Sequence, residues 1–71
     1  MNLIHKPYTK FKGWLRSNEL TYKDIAELLG ISIATVSAKI NGKSDFLLSE
    51  IQAIKKEYGL SDDIFFDKIV A

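Results

Sequence analysis

Seventy-one residues make one small domain, near the lower size at which an unaided hydrophobic core holds a fold together. The absence of cysteine excludes a disulfide framework and a thiolate metal site, and a single histidine leaves nothing from which a His-based triad or metal cluster could assemble. The formal net charge of +1 does not by itself suggest nucleic acid, but residues 1–44 carry seven Lys/Arg against three acids and residues 45–71 carry three against six, an asymmetry suited to a basic binding face and an acidic far side.

Met1 to Lys6 has no helical period and ends at Pro7, which disfavours helix in the residue before it. Residues 1–7 therefore read as a flexible arm, in which His5 and Lys6 could reach a phosphate or the minor groove, the plain alternative being a frayed terminus. The arm lacks the apolar length of a signal peptide, and the apolar runs Phe46 to Leu48 and Ile64 to Phe66 are far too short to span a bilayer. A soluble, cytoplasmic protein without a membrane partner is expected.

From Pro7 to about Asn18, Tyr8, Phe11, Trp14 and Leu15 recur at helical spacing between Lys10, Lys12 and Arg16, which predicts a first helix with Phe11 and Trp14 as core anchors. Thr21 precedes Tyr22, Lys23 and Asp24 and can cap a second helix running to Leu29, with Asp24 in the turn where the helix dipole favours an acid. Ile25, Ala26 and Leu29 form its inward stripe, and Leu28 lies off it. Gly30 follows at the position where a left-handed turn is cheap without a Cβ. Ser32 can cap a third helix, Ile33 to about Asn41, ended by Gly42. Its helical wheel puts Val36 and Ile40 on one side and Ala34, Ala38 and Asn41 nearly opposite, flanked by Thr35, Ser37 and Lys39. After a loop at Lys43, Ser44 and Asp45, the spacing of Leu47, Ile51, Ile54 and Tyr58 predicts a fourth helix from roughly Leu48 to Tyr58, stopping at Gly59. Lys55 and Lys56 on it read as a solvated charge pair. Ser61, Asp62 and Asp63 form a further N-cap signal before Ile64, Phe65 and Phe66, so a short fifth helix is expected. The fold class is all-α, a compact bundle of about five short helices in one domain.

Residues 21–42 carry the functional signal. Two helices joined by a tight turn need a small residue where their backbones approach, a flexible residue in the turn and a buried branched residue on the second helix; Ala26, Gly30 and Val36 supply these. An outward face of small and short polar residues lets a helix sit deep in a DNA groove. The backbone amides that open the second and third helices can meet phosphates, and Lys23, Lys39 and Lys43 would add Coulombic attraction. The competing reading is a solvated face of good helix formers, with Ile33 completing the core edge beside Val36 and Ile40.

Tyr22 to Gly42 with Lys43, followed by Phe46 and Glu50-Ile51, is similar to the phage repressor and Cro-type helix-turn-helix proteins, and the segment AELLGIS-x-x-TVS…NGK carries the resemblance over about residues 8–66. The resemblance implies a lambda-repressor-like five-helix fold, binding of double-stranded operator DNA as a symmetric homodimer, and transcription regulation with the third helix in the major groove. Carried over by position, it puts a phosphate contact at Tyr22, where many members have glutamine, and base-reading positions at Ile33, Ala34 and Ala38, with Ser32, Thr35, Ser37 and Asn41 close by. Ile33 and the alanines cannot make the bidentate hydrogen bonds by which Gln or Arg identify bases, so readout would lean on thymine methyls, short hydroxyl bonds and DNA shape.

No metal, cofactor or small-molecule ligand is expected, and an enzyme is not: no Gly-rich phosphate loop appears, and Asp62-Asp63 fits capping better than catalysis. Dimer contacts are expected from Phe65, Phe66, Ile69 and Val70, with residues 67–71 as a candidate dimerisation tail. The alternative function is a helical protein-interaction module, antitoxin-like or antirepressor-like, gripping a protein partner with the same scaffold.

Overall fold

Helix α1 (Thr9–Ser17) opens a chain whose described part, residues 3–65 of the computed structural model, contains helices and turns and no strand. α2 (Tyr22–Leu29), α3 (Ile33–Ile40) and α4 (Leu48–Tyr58) follow, and a single 3-10 turn at Asp62–Ile64 closes the described part. α1 starts two residues later than its periodicity predicts. Tyr8 has non-helical backbone, and its N–H donates to the Ile40 carbonyl of α3 at 3.0 Å, so the residue serves as a link between helices.

The core is one cluster to which every element contributes. Phe11 and Leu15 of α1, Ile25 and Ala26 of α2, Val36 and Ile40 of α3, and Ile51 and Ile54 of α4 are buried together with Tyr8, Phe46 and Phe65. Trp14 is only partly buried: it lies parallel to Phe11 at 6.1 Å and meets Tyr58 edge-on at 5.1 Å, closing the side of the core rather than filling its centre. Offset and edge-to-face arrangements of this kind add to the gain from area burial.

Three expectations are corrected here. The fifth helix is reduced to one 3-10 turn, in which Ile64 N–H donates to Ser61 O and Phe65 N–H to Asp62 O. Phe65, which follows the turn, goes inward: it is 4% exposed, 4.9 Å from the Phe11 ring and edge-on to Tyr8 at 5.6 Å. Phe65 is therefore a core residue and not a dimer contact; Phe66, Ile69 and Val70, named with it, lie outside the described residues. Leu47, read at helical spacing with Ile51, Ile54 and Tyr58, is 62% exposed. It is the N-cap, with extended backbone (φ −69°, ψ 153°), so helical spacing does not govern where its side chain points.

The side chain of Ile54 is fully buried while that of Leu48 is 71% exposed, although both sit on α4. Ile54→Ala should cost about 2–5 kcal/mol in chemical denaturation, a large part of the stability of so small a domain, and Leu48→Ala about 0.5 kcal/mol or less. Equal losses for the two would contradict the packing described.

Candidate nucleic-acid interface

The α2–α3 pair is set by local chemistry at three points. At the start of α2, the Asp24 carboxylate accepts from the Thr21 N–H at 2.7 Å and from the Thr21 hydroxyl at 3.0 Å; these bonds hold its pKa below the usual aspartate value. Between the helices, Gly30 takes a left-handed conformation (φ 70°), its N–H and that of Ile31 both returning to the Ala26 carbonyl. At the start of α3, the Ser32 hydroxyl accepts from the Thr35 N–H at 3.0 Å. Buried Ala26 lies on the inward side of α2, and Val36 and Ile40, both with no exposed surface, hold α3 to the core.

With that face buried, α3 turns Ala34, Ser37, Ala38 and Asn41 outward, and with Lys43 they line a depression of about 470 Å³. Ile33 is 50% exposed, so it does not complete the core edge. Ser32 and Thr35 share a hydrogen bond between their hydroxyls (2.7 Å) at the start of α3. Tyr22 and Lys23 occupy the first turn of α2, Lys23 exposed and Tyr22 lining a second depression of about 290 Å³ with Lys12, Leu15, Arg16, Leu20 and Thr21. The chain thus gathers Ala34, Ser37, Ala38, Asn41 and Lys43 in one place and Tyr22 in another.

Lys39 does not join them. Its ammonium is 2.5 Å from Glu50 Oε1, both side chains are only 12% exposed, and it also lies near the Phe46 ring. Glu50 accepts in addition from the Leu47 N–H at 2.8 Å. Burial works against the charge of Glu50, but the Lys39 ammonium and the Leu47 N–H outweigh it and hold the carboxyl below its ordinary value. The expected contribution of Lys39 to DNA attraction is replaced by a tie between α3 and α4. Lys55 likewise is not a free partner of Lys56, for its ammonium pairs with Asp62.

The C-terminal end of α3 is fastened from several sides. Ile4 N–H donates to Gly42 O (2.8 Å), His5 Nε2 lies 2.8 Å from Ser44 O, and the His5 ring stacks on Tyr8 at 4.4 Å, whose hydroxyl donates to Asp45 at 2.5 Å. Desolvation opposes a charge on His5, but the carbonyls of Lys6 and Ser44 and the Asp45 carboxylate prevail and raise its pKa. The segment read as a loose arm thus makes specific contacts in residues 4–8. From α1, Lys12 Nζ reaches Asn41 Oδ1 at 2.9 Å. Sequence reading missed Lys12: nothing in a run of alternating basic and apolar residues pairs it with a side chain 29 positions away.

Among the described residues, a set of helices whose second and third members are joined by Gly30, Ile31 and Ser32, with the outer face of the third exposed, is helix-turn-helix in architecture. The profile of the BetR domain matches residues 9–70, and the chain belongs to that family, a helical domain of helix-turn-helix-type regulators. Neither the curated proteins nor the solved structures contain a match to this chain. Among the described residues, no helix is long and apolar enough to cross a membrane.

Gly42 has φ 95°, and a Cβ there would lie 2.2 Å from the His5 carbonyl oxygen. Gly42→Ala should therefore cost about 2 kcal/mol or more, from backbone strain and displacement of the strap that residues 3–5 lay against Gly42, and should speed amide exchange at Ile4 and Tyr8. A variant as stable as the parent, with those amides still protected, would count against the strap. The sign of the Glu50 shift gives a second test. A carboxyl depressed in the folded state adds stability above its unfolded value of 4.5 and loses it as pH falls through the lower folded value. The urea midpoint of the parent should fall on the acid side of pH 4.5, and Lys39→Met should flatten that fall; an unchanged slope would break the assignment.

Proposed function

We propose that this protein is a sequence-specific DNA-binding transcriptional regulator of the phage repressor and Cro type, a binding protein rather than an enzyme, acting in the cytoplasm by occupying an operator. The observation that carries the reading is the outer face of α3: small side chains around a depression, Lys43 at its rim, no covering segment among the described residues, and a helix rigidly seated behind it. In the major groove, Ala34 and Ala38 would let the helix approach closely and touch thymine methyls, and Ser37 and Asn41 would supply hydrogen bonds. Ser32, Ile33 and Thr35 would stand at the entering end of the helix. Tyr22, Lys23 and Lys43 would meet the phosphate backbone, positioning the protein without reading sequence. A two-fold homodimer would place two such helices in successive major grooves about one turn apart. No metal, cofactor or small-molecule ligand is required for action by occupancy.

A second reading rests on the apolar exposure of Ile33, Leu47 and Leu48, which would suit a module that grips a protein partner. Salt separates the two, because displacing counterions from DNA weakens binding steeply as salt rises and a mainly apolar protein interface is far less sensitive. Selection from a random duplex pool should enrich one site, and its affinity should fall log-linearly with salt. Failure to enrich any site, or one weak affinity for every duplex, would sink the sequence-specific regulator.

A further inference from the structure

Both ring nitrogens of His5 face backbone carbonyls. Nδ1 lies 2.7 Å from Lys6 O and Nε2 lies 2.8 Å from Ser44 O, 39 positions away, and the side chain is only 15% exposed. A carbonyl oxygen accepts and cannot donate, so each of these bonds needs an N–H on the ring. Neutral imidazole carries one N–H and imidazolium carries two. Whichever tautomer a neutral ring takes, one nitrogen lone pair is left against a carbonyl oxygen, so the pair of bonds fits the charged ring alone.

The surroundings favour the same state. Asp45 Oδ1, in the loop after α3, is 3.5 Å from Nε2 and is held there by the Tyr8 hydroxyl and the Phe46 N–H. Tyr8, stacked on the ring, stays a neutral phenol, because burial and the Asp45 carboxylate push its pKa up. Lys6 and Lys10 line the same depression as like charges, whereas Lys39 offers the ring its carbonyl, its ammonium being on Glu50. Desolvation is the largest influence on His5 and opposes its charge, but the Lys6 and Ser44 carbonyls and then the Asp45 carboxylate outweigh it and raise the pKa above 6.5.

The ring sits in the strap that closes the C-terminal end of α3. Its neighbour Ile4 donates to Gly42 O at 2.8 Å, and Tyr8 donates to Ile40 O at 3.0 Å. Asn41 and Lys43, on either side of Gly42, line the depression on the outer face.

We infer that His5 is a proton-operated latch for this face: as imidazolium it ties the N-terminal strap to the loop after α3, and loss of the proton undoes a tie and loosens the end of α3 that carries Asn41 and Lys43. Acid closes the latch and base opens it. A group whose folded-state pKa is raised contributes stability that is fully present below its unfolded value, here 6.5, and is lost as pH rises through the higher folded value. The latch stands on the His5 contacts themselves, while its effect on DNA affinity rests on the DNA-binding reading above.

The chain has one histidine, so its ring signals can be followed by NMR without ambiguity from about pH 5 to 9. The ring should titrate with a midpoint above 6.5, and Asp45→Asn, which keeps an acceptor for Tyr8 and Phe46, should lower that midpoint. Through the same window the urea midpoint of the parent should fall. Solvent exchange at the Ile4 and Tyr8 amides, corrected for its intrinsic pH dependence, should quicken severalfold, while the Gly30 and Ile31 amides between α2 and α3 hold. His5→Gln, which carries no titrating proton, should flatten both changes. A ring midpoint at or below 6.5, or strap amides and a urea midpoint that are the same for both ring states, would overturn the latch. With a duplex enriched from a random pool, parent affinity should fall as pH rises through the His5 midpoint, with an unchanged salt slope, and His5→Gln affinity should not. A salt slope steeper by about one below the midpoint would make His5 a phosphate contact instead, and an affinity indifferent to pH would separate the strap from the binding face; either overturns the inference. If the parent enriches no duplex, the DNA-binding reading fails, and the titration and exchange results still decide the latch.

Discussion

The outer face of the helix-turn-helix pair depends on how α3 is seated. Two of its side chains, Val36 and Ile40, disappear completely into the core, and in an eight-residue helix two buried positions a turn apart fix rotation about the axis. They do not fix the end. The last carbonyls of a helix lack intrahelical donors, and here Asn41 serves Ser37 O, Lys43 and Ser44 serve Ala38 O, and Tyr8 serves Ile40 O. Two of those four donors follow α3 in the loop, and Tyr8 comes from the segment before α1. Lys12 and Glu50 add one side-chain tie each from α1 and α4. The outcome is a short helix whose position is determined by parts of the chain far from it in sequence, so that its exposed residues can be chosen for something other than stability.

The charges follow the same division of labour. Lys39 looks, by position, like a residue for a phosphate, yet it is turned back to Glu50, and Lys12 is turned to Asn41. Lys43 lines the depression on the outer face, and Lys23 stands exposed in the first turn of α2. On the proposed reading, such a surface would attract a polyanion less by net charge, only +1 on the whole chain, than by where a few cations stand.

Much of this was legible in the sequence where local chemistry decides the outcome. α2 and α4 begin and end where their capping residues and Gly30 and Gly59 place them, and the inward residues of α2 and α3 fall on the expected stripes. The misreadings share a cause, which is that periodicity says nothing about residues just outside a helix or about partners distant in sequence. Leu47 fits the spacing of α4 but precedes its first turn. Phe65 is one of two adjacent phenylalanines, and only the ring cluster of Tyr8, Phe11 and Phe46 decides that it goes inward. Of the interface, the small outward face of α3 could be read from a helical wheel. The internal use of Lys39, the Lys12 tie to Asn41 and the strap at Gly42 could not, because each joins groups separated by a loop or a helix.

The pair Ala34 and Ala38 has a consequence for how such a surface can change over time. Neither side chain extends beyond a methyl group, and both lie on the side of α3 away from Val36 and Ile40, so longer residues at these positions project outward without disturbing what lies beneath. Glutamine, arginine or asparagine could be installed there by few mutations at little cost to folding, each bringing a new hydrogen-bonding pattern to the same rigid platform. The alanine face is in that sense a starting point from which a lineage can acquire or exchange binding preferences while the fold stays as it is.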